Sequence, residues 1–505
     1  MILIVDFGSQ TTHLIGRRLT DMGIPIYITI PEDVTKSVSY YKPKGIILSG
    51  GPSSVYEEGA PTLPKSFFSC GVPMLGICYG WQLMAHLLGG EVKPSRKEYG
   101  PAHLEIEVTA PLFLGIDSYS TVWVSHGDSV VRVPKGFDIL AKTERVTFGA
   151  VVNHDKKMYG VQFHPEADHT VYGTQILYNF VTHVCGLKTK KTSIDINKII
   201  KDIKTKVGDG NVICAVSGGV DSTVAAALIA KAIGKKFHPV YVESGLMRKG
   251  TAEEVKEIFK KHIGVIPIIA HAQALFITKL RGVTDSEIKR KIIGELYIQV
   301  FEEQLKNLKG ITHLAQGTIY SDVIESKGTK HASKIKSHHN VGGLPEKMKL
   351  QLLEPLRHFY KDQVRSIGTS IGLPPDVVGK QVFPGPGQAI RIMGEVTEKR
   401  LGQQQQADSI VVEEIKKAGL YEKVYMSFSI MTNTFSTAVK GDGRYFMEVV
   451  ALRIIESRDI MTTAWARVPY DVLQNISSRI VNEVPDISRV VFDITTKPPA
   501  TMEWE

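Results

Sequence analysis

The segment Asn211–Ile233, NVICAVSGGVDSTVAAALIAKAI, predicts a β-strand, a glycine-containing loop and a helix in direct succession. Residues 211–216 are mostly apolar, as expected for a buried strand. Residues 223–233 are rich in alanine, which favours a helix. The loop between them would place backbone N–H groups at the N-terminus of a helix, where they can bind an anion.

The same alternation of strand and helix is predicted on both sides of this segment. The expected strands are Ile2–Val5, Ile26–Ile30, Gly45–Leu48, Val72–Ile77, Asn211–Val216, His238–Val242 and Ile266–Ala270. The run Pro384-Gly385-Pro386-Gly387 cannot lie within a helix or a central strand, so it marks a boundary or a ligand-facing loop. We therefore predict an α/β protein with two successive doubly wound, mostly parallel-sheet domains, residues 1–187 and 188–384. A smaller α+β domain, residues 385–505, is expected to follow.

The composition of the 505-residue chain is that of a globular protein, with 43% hydrophobic and 22% charged residues. No apolar stretch approaches the roughly 18 residues of a membrane helix, and residues 1–6 resemble a first strand rather than a signal peptide. Four scattered cysteines, Cys70, Cys78, Cys185 and Cys214, lack CxxC spacing and favour the reducing cytoplasm.

The net charge of +9 is compatible with nucleic acid or with small anionic substrates. The densest basic stretch, Lys188 to Lys206, also contains Asp195 and Asp202 and lacks aromatic residues. It is typical of a solvated linker that leads into a helix, so we favour anionic metabolites over nucleic acid.

Cys78 follows the predicted strand Val72–Ile77 and lies between Gly76 and Gly80, as in a nucleophile elbow. The following helix N-terminus would favour the thiolate, which is the reactive form. Downstream, His164 could act as the general base, and Glu166 could fix its tautomer. A buried, inert cysteine is the alternative, but the ordered set of elements favours catalysis.

The motif Gly76-Ile77-Cys78-Tyr79-Gly80, with Gln82 and the run Gln162–Glu166, resembles the class I glutamine amidotransferases. The resemblance implies that Cys78 attacks the side-chain amide of glutamine, giving a glutamyl thioester and ammonia. Gln82 and Asp128 would help to hold the glutamine. Upstream, Ser49-Gly50-Gly51 could supply oxyanion-hole N–H groups, from Gly50 and Gly51.

No GxxxxGK[ST] motif occurs in the chain. The loop instead resembles that of the N-type ATP pyrophosphatases, through Ser217, Gly218, Gly219, Val220, Asp221, Ser222 and Thr223. That resemblance implies cleavage of ATP between the α and β phosphates and adenylation of a second substrate. Asp221 is the natural ligand for Mg²⁺, which prefers a carboxylate together with phosphate oxygens. The alternative is a plain glycine turn between strand and helix.

Four further stretches, at 245–248, 315–320, 335–345 and 497–505, resemble the GMP synthase family over nearly the whole chain. The implied substrates are xanthosine 5′-phosphate (XMP), ATP and glutamine, with Mg²⁺, and a homodimer is implied. The residues implied for XMP are Arg248, Asp442, Arg489, Lys497 and Glu503. Those implied for the synthetase site and a basic lid are Asp322, Glu325, Lys336, His338, His339, Lys361 and Asp362.

Two other classes share the ATP loop. Asparagine-type synthetases normally carry a cysteine directly after the initiator methionine, where this chain has Ile2. RNA-thiolating enzymes usually add cysteine pairs or an RNA-binding module, and the sequence has neither. The sequence departs from the GMP synthase pattern at Glu243, at Gln388 and in the stretch 443–445, and the stretch between Glu325 and Lys336 is unusually rich in lysine.

Overall fold

The computed structural model describes residues 1–9, 11–190, 194–327, 350–457 and 462–505. Within them the strands form three sheets, of nine, five and four strands in chain order. In this part of the chain, we find no helix with the length and apolar character needed to cross a membrane.

The first sheet is half parallel and half antiparallel. Its parallel strands are β1 (Ile2–Val5), β2 (Ile26–Thr29), β3 (Gly45–Leu48), β4 (Met74–Ile77) and β9 (Met158–Val161). The antiparallel part consists of β5 (Glu91–Ile106), β6 (Tyr119–Arg132), β7 (Asp138–Thr143) and β8 (Ala150–Asn153). The antiparallel half was not predicted from the sequence.

Helices cover both faces of this sheet. They are α1 (Thr12–Asp21), α2 (Val34–Tyr41), α3 (Tyr79–Leu87) and α4 (Gly173–Asn179). Ile2 and Ile4 join one apolar cluster, whereas Leu3 and Val5 join another on the opposite face. Burial on both faces explains why β1 is a continuous apolar run.

The second sheet is parallel at every pairing, in the order β12-β11-β10-β13-β14. Its strands are β10 (Asn211–Ala215), β11 (Phe237–Glu243), β12 (Ile268–His271), β13 (Ile311–Ala315) and β14 (Gln351–Leu353). The associated helices are α5 (Ile196–Val207), α6 (Val220–Ile233), α7 (Thr251–Ile258), α8 (Gln273–Leu280), α9 (Ser286–Lys306), α10 (Tyr320–Lys327), α11 (Lys361–Ser370) and α12 (Pro375–Val378). The central β10 leads directly into the glycine loop.

The third sheet is smaller and mixed, and it lies in the part of the chain for which a smaller α+β unit was predicted. A long hairpin of β15 (Met426–Lys440) and β16 (Gly443–Glu456) is joined by the short β17 (Ala464–Trp465) and by β18 (Ile487–Phe492). Helices α13 (Glu398–Lys417) and α14 (Tyr470–Glu483) pack against it.

One apolar core spans the predicted boundary at residue 385. Phe276 and Ile293 from the second unit lie in the same buried cluster as Val411 and Ile476 from the C-terminal part. The placement of the domain boundaries remains a prediction, but this shared core joins the last two units.

Candidate active sites

Cys78 lies in a strained turn between β4 and α3, with φ 48° and ψ −106°. A positive φ is unusual for a residue with a side chain and marks a functional turn. The backbone N–H of Cys78 donates to the Val161 carbonyl at 2.8 Å. A Cβ on Gly76 would lie 2.7 Å from the Trp81 nitrogen, and one on Gly80 would lie 2.4 Å from the Leu48 oxygen. Both glycines are therefore needed for the turn.

His164 lies beside this turn and is oriented by Glu166. Its Nδ1 is 2.7 Å from Glu166 Oε1, which also accepts a hydrogen bond from Thr11 Oγ1 at 2.6 Å. Burial lowers the pKa of His164, but the Glu166 carboxylate and the adjacent Cys78 thiol outweigh it and hold that pKa well above its ordinary value. Because Nδ1 faces Glu166, Nε2 is the ring nitrogen available to the thiol.

The residues implied for glutamine binding surround the same turn. Gln82 Nε2 donates to the backbone carbonyl of Asp128 at 2.7 Å, and the Asp128 carboxylate accepts from Tyr56 at 2.8 Å. A Cβ on Gly50 would lie 3.1 Å from His164 Cε1, so the Gly50-Gly51 loop packs closely on the imidazole. The structure thus brings all seven predicted residues of this site together.

The loop between β10 and α6 is compact and uses glycine where the backbone requires it. Gly218 has φ +75°, and a Cβ there would lie 2.6 Å from Val255. Ser217 Oγ accepts from the Gly219 N–H at 3.3 Å, and Thr223 Oγ1 donates to the Gly219 carbonyl at 2.8 Å. These contacts leave a concave turn at the N-terminus of α6, which also carries Val220, Asp221 and Ser222.

Asp221 is paired with the first residue of α11. Lys361 Nζ lies 2.8 and 2.7 Å from the two carboxylate oxygens of Asp221. The described residues contain no cluster of three or more His, Cys, Asp or Glu side chains placed to hold a metal. A single carboxylate at the N-terminus of a helix that follows a glycine loop fits Mg²⁺ that arrives with a nucleotide, because that ion is usually held by one or two carboxylates and the substrate phosphates.

A cavity of about 830 Å³ opens beside this loop. Its lining includes Ser217–Gly219, Arg248 and the segment Phe383–Gly385. That volume is in the range of pockets for nucleotide-sized ligands. The Pro-Gly run singled out in the sequence therefore faces the cavity.

The residues implied for XMP are only partly brought together within one chain. Arg248 lines the cavity, and Glu503 is joined to it through two other charged residues, Asp408 and Arg391. The backbone of Lys497 pairs with Thr463, at 3.0 Å in both directions. The remaining two, Asp442 and Arg489, are exposed.

Asp442 and Arg489 are also distant from each other in the sheet. Asp442 is at the tip of the β15–β16 hairpin, whereas Arg489 is in register with Val449. The seven residues from 442 to 449 correspond to roughly 20 Å along a strand.

The predicted synthetase residues are partly outside the described chain. Asp322 lies in α10 and accepts a hydrogen bond from the Ile319 N–H at 3.1 Å. Glu325 is in the same helix, but its side chain is outside the described set, as are Lys336, His338 and His339 altogether. A Cβ on Gly317 would lie 2.9 Å from Ser222 Cα, so the segment before α10 packs directly on the loop.

Helix α1 contacts both candidate sites. Thr11, at its N-terminus, binds Glu166, and Arg18 pairs with Asp168. On its other side Arg17 pairs with Asp362 of α11, and its guanidinium lies 4.4 Å from the centre of the Tyr360 ring. Lys361, next to Asp362, binds Asp221, so a short run of contacts connects the cysteine site with the loop.

Thr11 was missed in the sequence, although a signal was present. It follows the buried strand β1, whose carboxyl end meets those of β3 and β4 at one edge of the sheet. Polar residues at that edge are the usual site of ligands in open α/β sheets.

Three departures noted in the sequence have local partners. Gln388 is buried and accepts a hydrogen bond from Gln404 at 3.0 Å. Glu243 accepts from His271 at 2.6 Å. A Cβ on Gly443 would lie 2.5 Å from the Tyr445 ring, so glycine suits that hairpin turn.

Three known families match successive parts of the chain, and the first two matched parts contain the cysteine turn and the glycine loop of the two candidate sites. Residues 3–184 match the family Glutamine amidotransferase class-I, residues 193–284 match NAD synthase, and residues 413–504 match the GMP synthase C terminal domain. The first site therefore lies in a class I glutamine amidotransferase unit.

Full-length relatives are similar over the whole chain. A protein of Clostridium botulinum strain Hall described as "GMP synthase [glutamine-hydrolyzing]" is 50% identical over 100% of this chain and 99% of its own. Proteins of the same description from Clostridium novyi and Brachyspira hyodysenteriae are 49% and 48% identical, with the same coverage. The chain belongs to the glutamine-hydrolysing GMP synthase family, and the enzyme class predicted from the sequence is confirmed.

Proposed function

We propose that this protein forms GMP from XMP, ATP and glutamine by two linked reactions. The single observation that carries the proposal is the occurrence, on one chain, of the Cys78–His164–Glu166 arrangement and the Ser217–Thr223 loop beside a large cavity. One site releases ammonia, and the other activates the carbon that receives it.

At the first site Cys78 is the nucleophile. His164 takes the thiol proton through Nε2, and Glu166 stabilises the imidazolium that results. The sulfur bonds to the side-chain carbonyl carbon of glutamine. The amide nitrogen then accepts the proton from His164, the C–N bond breaks and ammonia leaves. Water then hydrolyses the thioester to glutamate. The N–H groups of Gly50 and Gly51 are proposed to bind the oxyanion.

At the second site the loop N–H groups and the end of α6 hold the ATP phosphates. The 2-oxygen of XMP bonds to the α-phosphorus, and pyrophosphate leaves. Ammonia then bonds to C2 of the purine, and AMP leaves. Asp221 would hold Mg²⁺, which when bound offsets phosphate charge. Lys361 lies at the same carboxylate, where its ammonium can approach the departing pyrophosphate.

Two of the charged residues support XMP as the second substrate. Arg248 lines the cavity and suits a phosphate group, and Glu503 suits purine N–H groups. Lys497, Asp442 and Arg489 are proposed as further XMP residues, and Asp322, Glu325, Asp362, Lys336, His338 and His339 as synthetase and lid residues. Cytoplasmic location stays a prediction.

We also propose a homodimer that forms through the β15–β16 hairpin. Phe435, Val439 and Phe446 lie on one face of the hairpin and are 46%, 74% and 72% exposed, and the rings of Phe435 and Phe446 stack with centroids 5.8 Å apart. Contiguous exposed apolar side chains mark interaction surfaces. A second copy of the chain is the simplest occupant, since two-fold pairing of identical faces is the commonest assembly.

One assay tests the proposed reaction. Pyrophosphate and AMP should be released only when XMP is present, and GMP should accumulate with either glutamine or ammonia as the nitrogen source. Pyrophosphate release without XMP, or with another nucleotide in its place, would contradict the proposal.

A further inference from the structure

Arg248, Asp408, Arg391 and Glu503 form an ion-pair network between the cavity and the C-terminal tail, residues 497–505. Arg248 Nε lies 2.6 Å from one carboxylate oxygen of Asp408, and Arg391 lies 3.5 Å from the other. Arg391 in turn binds both carboxylate oxygens of Glu503, at 2.9 and 3.0 Å. This ion-pair network therefore connects the loop after β11, helix α13, the segment after the Pro-Gly run and the tail.

The two inner residues of this ion-pair network are buried. Asp408 is 0% and Arg391 is 1% exposed. Burial of one unpaired charge is strongly unfavourable, so each of these side chains needs the other partners. The outer members, Arg248 and Glu503, have part of their side chains exposed.

Aromatic rings hold the inner arginine in place. The Arg391 guanidinium lies 3.9 Å from the centre of the Phe428 ring and 4.8 Å from that of Phe383. Arg248 lies 4.9 Å from the same Phe383 ring, which lines the cavity. Such contacts restrict the rotamers of both arginines.

We propose that Asp408 and Arg391 are positioning residues for the nucleotide substrate. They fix the distance between Arg248 in the cavity and Glu503 in the tail, without contact with the substrate themselves. This inference deepens the proposed function and rests on it, because it assumes that the anionic nucleotide is held between those two outer groups.

The substitution Asp408→Asn should raise KM for XMP if Asp408 is a positioning residue, and should lower it if only its negative charge matters. The amide keeps the shape of the side chain but loses the charge that holds Arg248 Nε, so positioning predicts that KM for XMP rises about tenfold or more. Removal of a negative charge near an anionic substrate would, by itself, lower KM. Initial rates of XMP-dependent pyrophosphate release, with ammonia as donor and saturating ATP, give KM and kcat separately. The proposal expects the larger change in KM.

Glu448→Gln is the matched control. Glu448 is also buried and pairs with Arg400 of the same helix α13, but it belongs to a different ion pair. The Glu448→Gln variant should have a lower melting temperature than the wild type, without a comparable rise in KM for XMP. Equal KM effects in the two variants would assign Asp408 to stability alone and overturn the proposal.

Arg391→Lys provides an independent test if Asp408→Asn does not fold. Lysine keeps the charge but cannot bind Glu503 through two parallel hydrogen bonds, so KM for XMP should again rise. Unchanged KM in this variant would overturn the positioning role. Failure of the proposed function is distinguishable, since the wild-type protein would then release no pyrophosphate in response to XMP.

Discussion

Lys361 Nζ binds both carboxylate oxygens of Asp221, at 2.7 and 2.8 Å, directly after the glycine loop. The pair joins the first turn of α11 to the first turn of α6. A cation that binds Asp221 must therefore share that carboxylate with a lysine.

Lys361→Met should increase the affinity of the nucleotide-free protein for Mg²⁺. The expected gain is about fivefold, because a partly exposed ion pair contributes about 1 kcal/mol. At the same time pyrophosphate release should fall, since the proposed leaving group loses a cation. Calorimetric titration with Mg²⁺ and a pyrophosphate assay measure the two effects.

Lys380→Met is the control for this prediction. Lys380 Nζ donates to the Gly218 carbonyl at 3.2 Å and pairs with Glu254, so it lies at the same loop without contact to Asp221. Mg²⁺ affinity should not change in that variant. If Lys361→Met leaves Mg²⁺ binding unchanged, or if Asp221→Ala still forms GMP, Asp221 is not the ligand.

Asp362→Ala should weaken the coupling between the two sites. The substitution removes the partner of Arg17 at the contact between α1 and α11. The ratio of glutamine-dependent to ammonia-dependent GMP formation should fall by about fivefold at most, because an ion pair with an exposed carboxylate contributes up to about 1 kcal/mol. Lys399→Ala, in an exposed pair with Asp486, is the control and should leave the ratio unchanged. An equal loss with both donors would show that Asp362 serves the synthetase site alone.

His126 should make the protein less stable in acid. It is buried on β6, its Nε2 lies 3.3 Å from Glu98, and burial together with His164 lowers its pKa to about 4. Between pH 6.5 and 4 the unfolded state binds more protons at this residue than the native state. The stability it contributes is therefore complete above pH 6.5 and falls by about 3 kcal/mol towards pH 4.

The test compares unfolding free energies of the wild type and His126→Gln across that range. Burial raises the pKa of Glu98, which acts in the opposite direction, so only the difference between the variants isolates the imidazole. That difference should shift in favour of the glutamine variant as the pH falls. A difference independent of pH would contradict the prediction.

Phe446→Glu should convert the protein to a monomer. The substitution places a charge on the exposed apolar face of the β15–β16 hairpin, where the proposed partner must bury it. Light scattering at micromolar concentration measures the mass. Tyr470→Glu, at a residue that is 90% exposed on α14, is the control and should retain the dimer. A wild-type monomer, or a dimeric Phe446→Glu variant, would contradict the assignment of this surface.

Much of the parallel architecture was accessible from the sequence. The strands β1 and β3 have the predicted bounds, β10 ends one residue earlier than predicted, and β4 begins two residues later. The central residues of these strands are buried, so their sequences are mostly apolar runs. The structure also places the residues predicted around Cys78 near one another, and the turn itself was recognisable because tight turns at strand ends carry glycines.

Neither the antiparallel strands nor the ion-pair network around Asp408 could be predicted from the sequence in this way. β5 contains Pro94 and Pro101, and a break in register between Pro94 and Glu98, so it gives no regular alternation. Asp408 lies 160 residues from its partner Arg248. In the sequence such a charge is indistinguishable from a solvated helix residue, because only tertiary packing buries it.

The most direct test of the central claim, that one site frees ammonia for the other, is GMP formation by Cys78→Ala with each nitrogen donor. The substitution removes only a sulfur atom from a turn fixed by Gly76 and Gly80, and the loop at Ser217–Ser222 belongs to another sheet. The account predicts no GMP from glutamine, because no thioester can form, and near-normal GMP from concentrated ammonia at raised pH. Loss of both activities in a folded variant, or retained synthesis from glutamine, would contradict it.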